Sequence, residues 1–142
     1  MTPEALARAV GERMWEDDRA SRELGMRLDA IAPGRATLGM IVTERMVNGL
    51  GICHGGFIFS LADSAMAFAS NSHGERAVAQ HGAITYLRPA RLHDTLRAEA
   101  TERARAKRSA MYDVRITGPD GVVAEFRGHT RGLGDRFFPT ET

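Results

Sequence analysis

Hydrophobic positions recur with a helical period over the first 18 residues. Thr2-Pro3-Glu4 is typical of a helix start, because threonine can cap the first turn and proline fits the first helical position. Leu6, Val10 and Met14 follow at helical spacing, with charged residues between them. The pattern predicts an amphipathic helix over about residues 3–18.

A second predicted helix, over about residues 55–72, is apolar on nearly every side. It begins at two glycines and is rich in alanine, as expected for a helix buried against a close neighbour. Asp63 interrupts this composition two turns in. A carboxylate there costs free energy, because desolvation opposes its charged form. Asp63 is therefore either a functional group or an aspartate at a helix–sheet seam, bonded to backbone or to an arginine.

Six other segments have the pattern of strands. Residues 94–106 contain enough Ala, Glu and Arg for a helix, but Leu96, Ala98 and Ala100 alternate with polar residues and favour a strand. Gly118-Pro119-Asp120-Gly121 is the clearest hairpin turn. We expect a loose tail from about residue 134. The predicted strands are 24–31, 35–43, 76–87, 94–106, 109–117 and 122–133.

The order of these elements is helix, two strands, apolar helix, four strands. An α+β fold satisfies this order with short connections, as one antiparallel sheet of five to six strands wrapped around the apolar helix. The 142 residues suit a single domain, residues 1–142. One sheet leaves a side of the helix open, so we expect a second copy of the chain to cover it.

Charge and cysteine content narrow the function classes. A formal net charge of +1 gives no indication of nucleic-acid binding. Cys53 is the one cysteine, so no disulfide forms within the chain, and we expect a cytoplasmic location. We expect neither a signal peptide nor a membrane span. His73, His81, His93 and His129 lack metal-ligand spacing, so no metal site is predicted.

The best candidate chemistry lies where the second helix begins. His54-Gly55-Gly56 leads into it, and the free N–H groups of a helix start can hold an oxyanion or polarise a carbonyl. The alternative is a simple tight turn. Asn48 could orient a water molecule or the His54 ring, or be an ordinary loop residue. The basic cluster at 103–108 is either a solvated strand end or a contact for nucleotide phosphates.

Gly55 and Asp63 cannot act on one carbonyl carbon from a single chain. They are eight residues apart, which places them about 12 Å apart along a helix. If both act on one carbonyl carbon, they must come from two subunits whose helices run past each other. That chemistry requires at least a dimer.

Residues 48–63 read Asn-Gly-Leu-Gly-Ile-Cys-His-Gly-Gly-Phe-Ile-Phe-Ser-Leu-Ala-Asp. This segment resembles the central motif of the PaaI-type hotdog thioesterases, for which the asparagine, the His-Gly-Gly and the aspartate at this spacing are specific. The likeness covers nearly the whole chain and continues in segments 68–72, 86–90, 94–96 and 126–128. It implies a hotdog fold in dimers that pair again into tetramers. It also implies hydrolysis of acyl-CoA thioesters, especially phenylacetyl-CoA and its ring-hydroxylated relatives, without a cofactor.

The resemblance also assigns roles by position. Asp63 is the catalytic carboxylate, as general base on water or as nucleophile, and Gly55 supplies the N–H that polarises the thioester carbonyl from the other subunit. His54 and Asn48 support that site. Gly56 and Arg88 are expected to contact the substrate, Arg88 at the CoA phosphates. The alternatives are a hotdog thioesterase for fatty or other aryl acyl-CoAs, and a non-catalytic acyl-CoA-binding protein, which should lack the carboxylate.

Overall fold

The computed structural model describes residues 1–140. Its helices are α1 (Pro3–Asp17), α2 (Arg19–Glu23) and α3 (Gly55–Asn71), with a short 3-10 turn at Glu44–Met46. Its strands are β1 (Arg27–Ala32), β2 (Arg35–Ile41), β3 (Glu75–Tyr86), β4 (Thr95–Ala106), β5 (Ser109–Gly118) and β6 (Gly121–Arg136).

The six strands form one antiparallel sheet in the order β1-β2-β4-β5-β6-β3. The sheet packs against α3, so the predicted α+β fold is confirmed. β4 is a strand despite its helical composition, because Leu96, Ala98 and Ala100 point inward and are at most 2% exposed. Burial of that alternating face outweighs local propensity.

The N-terminal region contains a helix that the pattern did not predict. Thr2 caps α1, since its Oγ1 accepts the Ala5 N–H at 3.1 Å. Asp18 then caps α2 by accepting the Ser21 N–H at 2.9 Å. α2 is too short to show a hydrophobic period, and with the following turn at Gly25 it delays the first strand to Arg27.

The prediction of a loose tail from about residue 134 is wrong. β6 continues to Arg136, which lies opposite Glu75 of β3. The Phe137 N–H then donates to the Gly74 carbonyl at 3.0 Å. This stretch has no alternating pattern, and backbone pairing with β3 orders it. Residues 141–142 of the predicted tail lie outside the described residues.

α3 is buried on the side that faces the sheet and more open along one stripe. Leu61, Ala62 and Ala65 are fully buried. The more open stripe consists of Gly56, Ser60, Asp63 and Ala67, which share one face at helical spacing and are exposed or half-buried. Most of the helix therefore belongs to the core, and this stripe, with Asp63 in it, does not.

Among the described residues, every helix is too short or too polar to cross a bilayer.

Candidate active site

The imidazole of His54 is fixed at the start of α3. Its Nδ1 accepts the Gly56 N–H at 2.9 Å, which caps the helix. The His54 N–H donates to the Met46 carbonyl at 2.7 Å and ties the cap to the preceding loop. Because Nδ1 is an acceptor here, the neutral ring carries its proton on Nε2. His54 can therefore present an Nε2–H donor to a ligand.

Gly55 is held by Tyr86 at the end of β3. The Tyr86 hydroxyl donates to the Gly55 carbonyl at 2.8 Å. A Cβ at position 55 would lie 2.8 Å from the Tyr86 Cζ atom, so only glycine fits beneath this ring. The first N–H groups of a helix lack intrahelical acceptors and lie at its positive end. Since His54 accepts the N–H of Gly56, the Gly55 N–H remains as the donor for a bound carbonyl.

Asn48 folds its own loop. Its Oδ1 accepts the N–H groups of Leu50 at 2.9 Å and Ile52 at 3.3 Å. The amide oxygen is thus engaged, and the Nδ2 group remains to donate. The expectation that Asn48 orients a water molecule or the His54 ring therefore narrows to a donor role.

One cavity of about 500 Å³ collects three of the candidate residues. Asn48, Gly55 and Arg88 line it, with Tyr86 and with apolar residues such as Ile58. A larger cavity, of about 630 Å³, lies between α1 and β1, and its lining contains none of the candidate residues. The smaller cavity is therefore the candidate site, because polar groups converge there on an apolar wall.

Asp63 lies outside that cavity, two turns along α3. It is half-buried, and desolvation raises the pKa of its carboxyl above the usual value. Among residues 1–140, no hydrogen bond or ion pair engages this carboxylate. The seam alternative, an aspartate bonded to backbone or to an arginine, is therefore not observed. One chain brings Asn48, Gly55 and Arg88 together and leaves Asp63 apart.

Three other side chains on or beside α3, those of Cys53, Ser60 and Ser64, are of types that can act as nucleophiles. Burial raises the pKa of the Cys53 thiol to about 11, which keeps it protonated near neutral pH. The Ser60 hydroxyl donates to the Gly56 carbonyl at 2.8 Å. The Ser64 hydroxyl lies 2.8 Å from that of Ser21 in α2. These contacts leave Asp63 as the candidate reactive group of α3.

Ion pairs within the chain engage the basic cluster at 103–108, which was another candidate from the sequence. In the basic cluster, Arg103 pairs with Asp113 at 3.3 Å and Arg105 with Glu102 at 3.7 Å, as at a solvated strand end. Within residues 1–140, no three histidine, cysteine or acidic side chains come together as metal ligands. Tyr86, by contrast, contacts the site and was not predicted, because nothing local marks a strand-end tyrosine as the partner of a glycine 31 residues earlier.

Three comparisons place the chain among known proteins. The acyl-coenzyme A thioesterase PaaI of Escherichia coli is 42% identical over 122 residues, covering 85% of this chain and 87% of that protein. The structure of the E. coli PaaI protein from the phenylacetic acid degradation operon superposes with a TM-score of 0.93 at 38% identity, covering 95% of this chain and 99% of that one. A Streptococcus mutans protein solved with acetyl CoA superposes with a TM-score of 0.75 at 27% identity, covering 78% and 90%.

These likenesses confirm the predicted hotdog fold and the resemblance to the PaaI-type enzymes. The model of the thioesterase superfamily matches residues 50–125. That stretch contains His54, Gly55 and Asp63 and continues through the sheet to β6. The chain belongs to the thioesterase superfamily.

Proposed function

We propose that this protein hydrolyses acyl-CoA thioesters to a free acid and CoA, and that phenylacetyl-CoA and ring-hydroxylated phenylacetyl-CoAs are its substrates. The observation that carries the proposal is the pair of groups on α3: the Gly55 N–H at the cavity and the unpaired, half-buried Asp63 carboxylate. The E. coli relative is named an acyl-coenzyme A thioesterase, and its operon supports the aryl substrates. The acetyl CoA in the S. mutans relative supports recognition of the CoA portion.

The active unit is a dimer formed along β3. This 12-residue strand lies at an edge of the sheet, and most of its residues are exposed, including Val78 and Tyr86 at nearly half of their surface. A long exposed edge can extend its sheet by pairing with a second copy. Antiparallel pairing about a two-fold axis sets two α3 helices side by side in opposite directions. The open stripe of each then faces the other, and Asp63 of one copy approaches Gly55 of its partner.

The chemistry follows from these groups. The Gly55 N–H and the His54 Nε2–H donate to the thioester oxygen, and the Asn48 amide group adds a donor nearby. Asp63 of the second copy removes a proton from water, which attacks the carbonyl carbon. The tetrahedral intermediate expels the CoA thiolate, which takes up a proton, and the acid is released. Thioesters have a good leaving group, so this proceeds without a metal or another cofactor.

The remaining candidates contact the substrate. Gly56 is exposed beside the His54 ring and allows close approach of the thioester. Arg88 is exposed at the end of β3 and lines the cavity, where its guanidinium can pair with a CoA phosphate. We place the enzyme in the cytoplasm, as the single buried Cys53 suits a reducing compartment. We further propose that the dimers pair into tetramers.

The first test is thiol release from phenylacetyl-CoA, hydroxyphenylacetyl-CoA, benzoyl-CoA and fatty acyl-CoAs of increasing length. Asp63→Asn keeps the shape of the side chain and removes its basicity. Asp120→Asn makes the same change at the exposed β5–β6 turn and serves as the control. Fast release from the aryl-acetyl thioesters that only Asp63→Asn abolishes supports the proposal. Turnover of fatty substrates alone would refute the substrate class, and acyl-CoA binding without any turnover would indicate a non-catalytic binding protein.

A single-turnover reaction in water labelled with oxygen-18 tests how Asp63 acts. If Asp63 is a general base, the new carboxylate oxygen comes from water and the product carries the label. If Asp63 attacks directly, it expels CoA and forms a mixed anhydride, and water that opens this anhydride at the Asp63 carboxyl carbon leaves an unlabelled oxygen in the first product. Absence of label therefore contradicts the general base, and label in the first product contradicts direct attack followed by hydrolysis at Asp63.

The shared site is tested by mixing two inactive variants. Gly55→Ala removes one half of each site and Asp63→Asn the other half. After subunit exchange, half of the dimers contain one copy of each variant, and each such dimer has one intact site out of two. Recovery to about a quarter of the wild-type activity is expected. If the site were contained in one chain, the mixture would remain inactive.

A further inference from the structure

A pair of histidines lies on the outer face of the sheet, away from the site. His81 of β3 and His129 of β6 are directly opposite each other, and both are exposed. Their ring centroids are 5.1 Å apart with an interplanar angle of 37°. The neighbours of His129 in β6, Gly128 and Thr130, are buried on the inner side. The two imidazoles therefore point to the opposite side of the sheet from α3.

A local irregularity in β3 brings the two rings together. Ala79 lies opposite Thr130, so regular pairing would place Gln80 opposite His129. The register instead shifts by one residue between Ala79 and His81, and His81 takes that place. Bulges of this kind re-aim a side chain and recur beside functional sites.

The spacing of the rings fits two ligands of one metal ion. With Zn–N bonds of about 2.0–2.1 Å and a ring nitrogen about 1.1 Å from its centroid, two imidazoles on a tetrahedral ion have centroids about 5.1 Å apart. Among residues 1–140, neither imidazole has a hydrogen bond or an ion pair, so their nitrogens are available. His129 belongs to β6, which lies between β5 and β3 in the sheet, so the backbone of one ligand is held in place before the metal binds.

We propose that His81 and His129 together bind a divalent transition-metal ion of the zinc, nickel and copper class. Imidazole suits these ions, whereas magnesium and calcium prefer oxygen ligands. Met111 lies opposite His129 on β5, so the register brings its thioether to the same strand position as a further donor. The cations nearest to His129 along β6 are Arg127, which is paired with Asp113, and Arg131. Water completes the coordination, and the site takes no part in hydrolysis, because it lies across the sheet from α3.

The test uses untagged protein in its own assembly, stripped with a chelator and titrated with zinc chloride or nickel chloride by calorimetry. His81→Gln and His129→Gln each remove one ligand and should each weaken binding at least tenfold. His93→Asn is the matched control, because His93 is exposed and its positive φ of 74° is tolerated by asparagine. This variant should bind within twofold of the wild type.

Spectroscopy gives an independent measurement of the ligands. With one equivalent of copper(II), electron paramagnetic resonance should show coupling to two imidazole nitrogens in the wild type and to one in either glutamine variant. Circular dichroism checks that each variant is folded. The proposal is overturned if the wild type binds no zinc or nickel at millimolar concentration, or if the glutamine variants bind as tightly as His93→Asn.

Discussion

Replacing Gly55 by alanine should impair catalysis through a contact that can be measured in the structure. The added Cβ would lie 2.8 Å from Cζ and 2.9 Å from the hydroxyl oxygen of Tyr86. Carbon atoms pack best at about 3.5–4.0 Å, so the ring or the helix start must move by about 0.8 Å. Such overpacking costs about 1–3 kcal/mol, and loss of the Tyr86 hydrogen bond to the Gly55 carbonyl adds about 1 kcal/mol.

The same displacement should reduce the rate more than the stability. A donor moved by about 1 Å from its productive position can cost about 100-fold in rate. We expect kcat for the preferred thioester to fall by about 100-fold with a smaller change in KM, because a donor in the role proposed for the Gly55 N–H acts most strongly on the charge that develops in the transition state. Thiol release measured over a range of substrate concentrations separates the two constants.

Gly49→Ala is the matched control for this substitution. Gly49 lies in the loop before α3, has no positive φ, and an added Cβ there would meet nothing within 4 Å. Its kcat should stay within twofold of the wild type. Adding Tyr86→Ala to Gly55→Ala removes the overlapping ring and should recover part of the lost stability. A Gly55→Ala variant that keeps wild-type kcat would refute the assignment of Gly55 and of the contact.

Three other substitutions test separate parts of the molecule. Burial raises the pKa of Asp63, so the folded protein favours the protonated carboxyl and loses stability as pH rises through that pKa. Asp63→Asn should therefore raise the free energy of unfolding, measured in urea at neutral pH. In the wild type, kcat/KM should fall on acidification at a higher pH than an aspartate with the ordinary pKa would give. The hydrogen bond from Arg127 lowers the pKa of Asp113 in the folded protein. The stabilisation by this carboxylate is present above its unfolded-state pKa and is lost as pH falls through its folded-state pKa. Arg127→Ala should return the pKa of Asp113 toward its usual value in an NMR titration. A Cβ on Gly128 would overlap Met66 Sδ, so Gly128→Ala should cost about 1–3 kcal/mol in chemical denaturation, less when combined with Met66→Ala.

The main elements could be predicted because their signals are local. Alternation, together with the overall layout of the elements, predicts β4, and the turn at residues 118–121 predicts the last hairpin, which joins β5 to β6. α2 was missed because its five residues are too few for a period. The end of β6 was missed because Gly134, Asp135 and Arg136 have no strand pattern, and their order comes from β3, which lies far away in sequence.

The site could be predicted in part, for a similar reason. His54 and Gly55 are recognisable from a motif that ends at a helix start, and Asp63 from its unusual place in an apolar helix. Tyr86 acts through a contact that forms only when β3 folds over the helix start, so no local pattern reveals it. Asn48 is recognisable from the same motif, but its role was left open by the sequence. The structure shows that its side-chain oxygen accepts hydrogen bonds from the backbone of its own loop.

The rigidity of α3 explains why the site should belong to two chains. Gly55 and Asp63 are fixed about 12 Å apart by the helix itself, and no side-chain rotation closes that distance. The sheet buries Leu61 and Ala65, while the stripe that carries Asp63 stays more open. In the proposed dimer, a second copy running in the opposite direction would place an Asp63 near each Gly55 and would also cover the open stripe. The same pairing would thus complete the core and assemble two equivalent sites, so loss of the dimer should abolish activity even when both residues are intact.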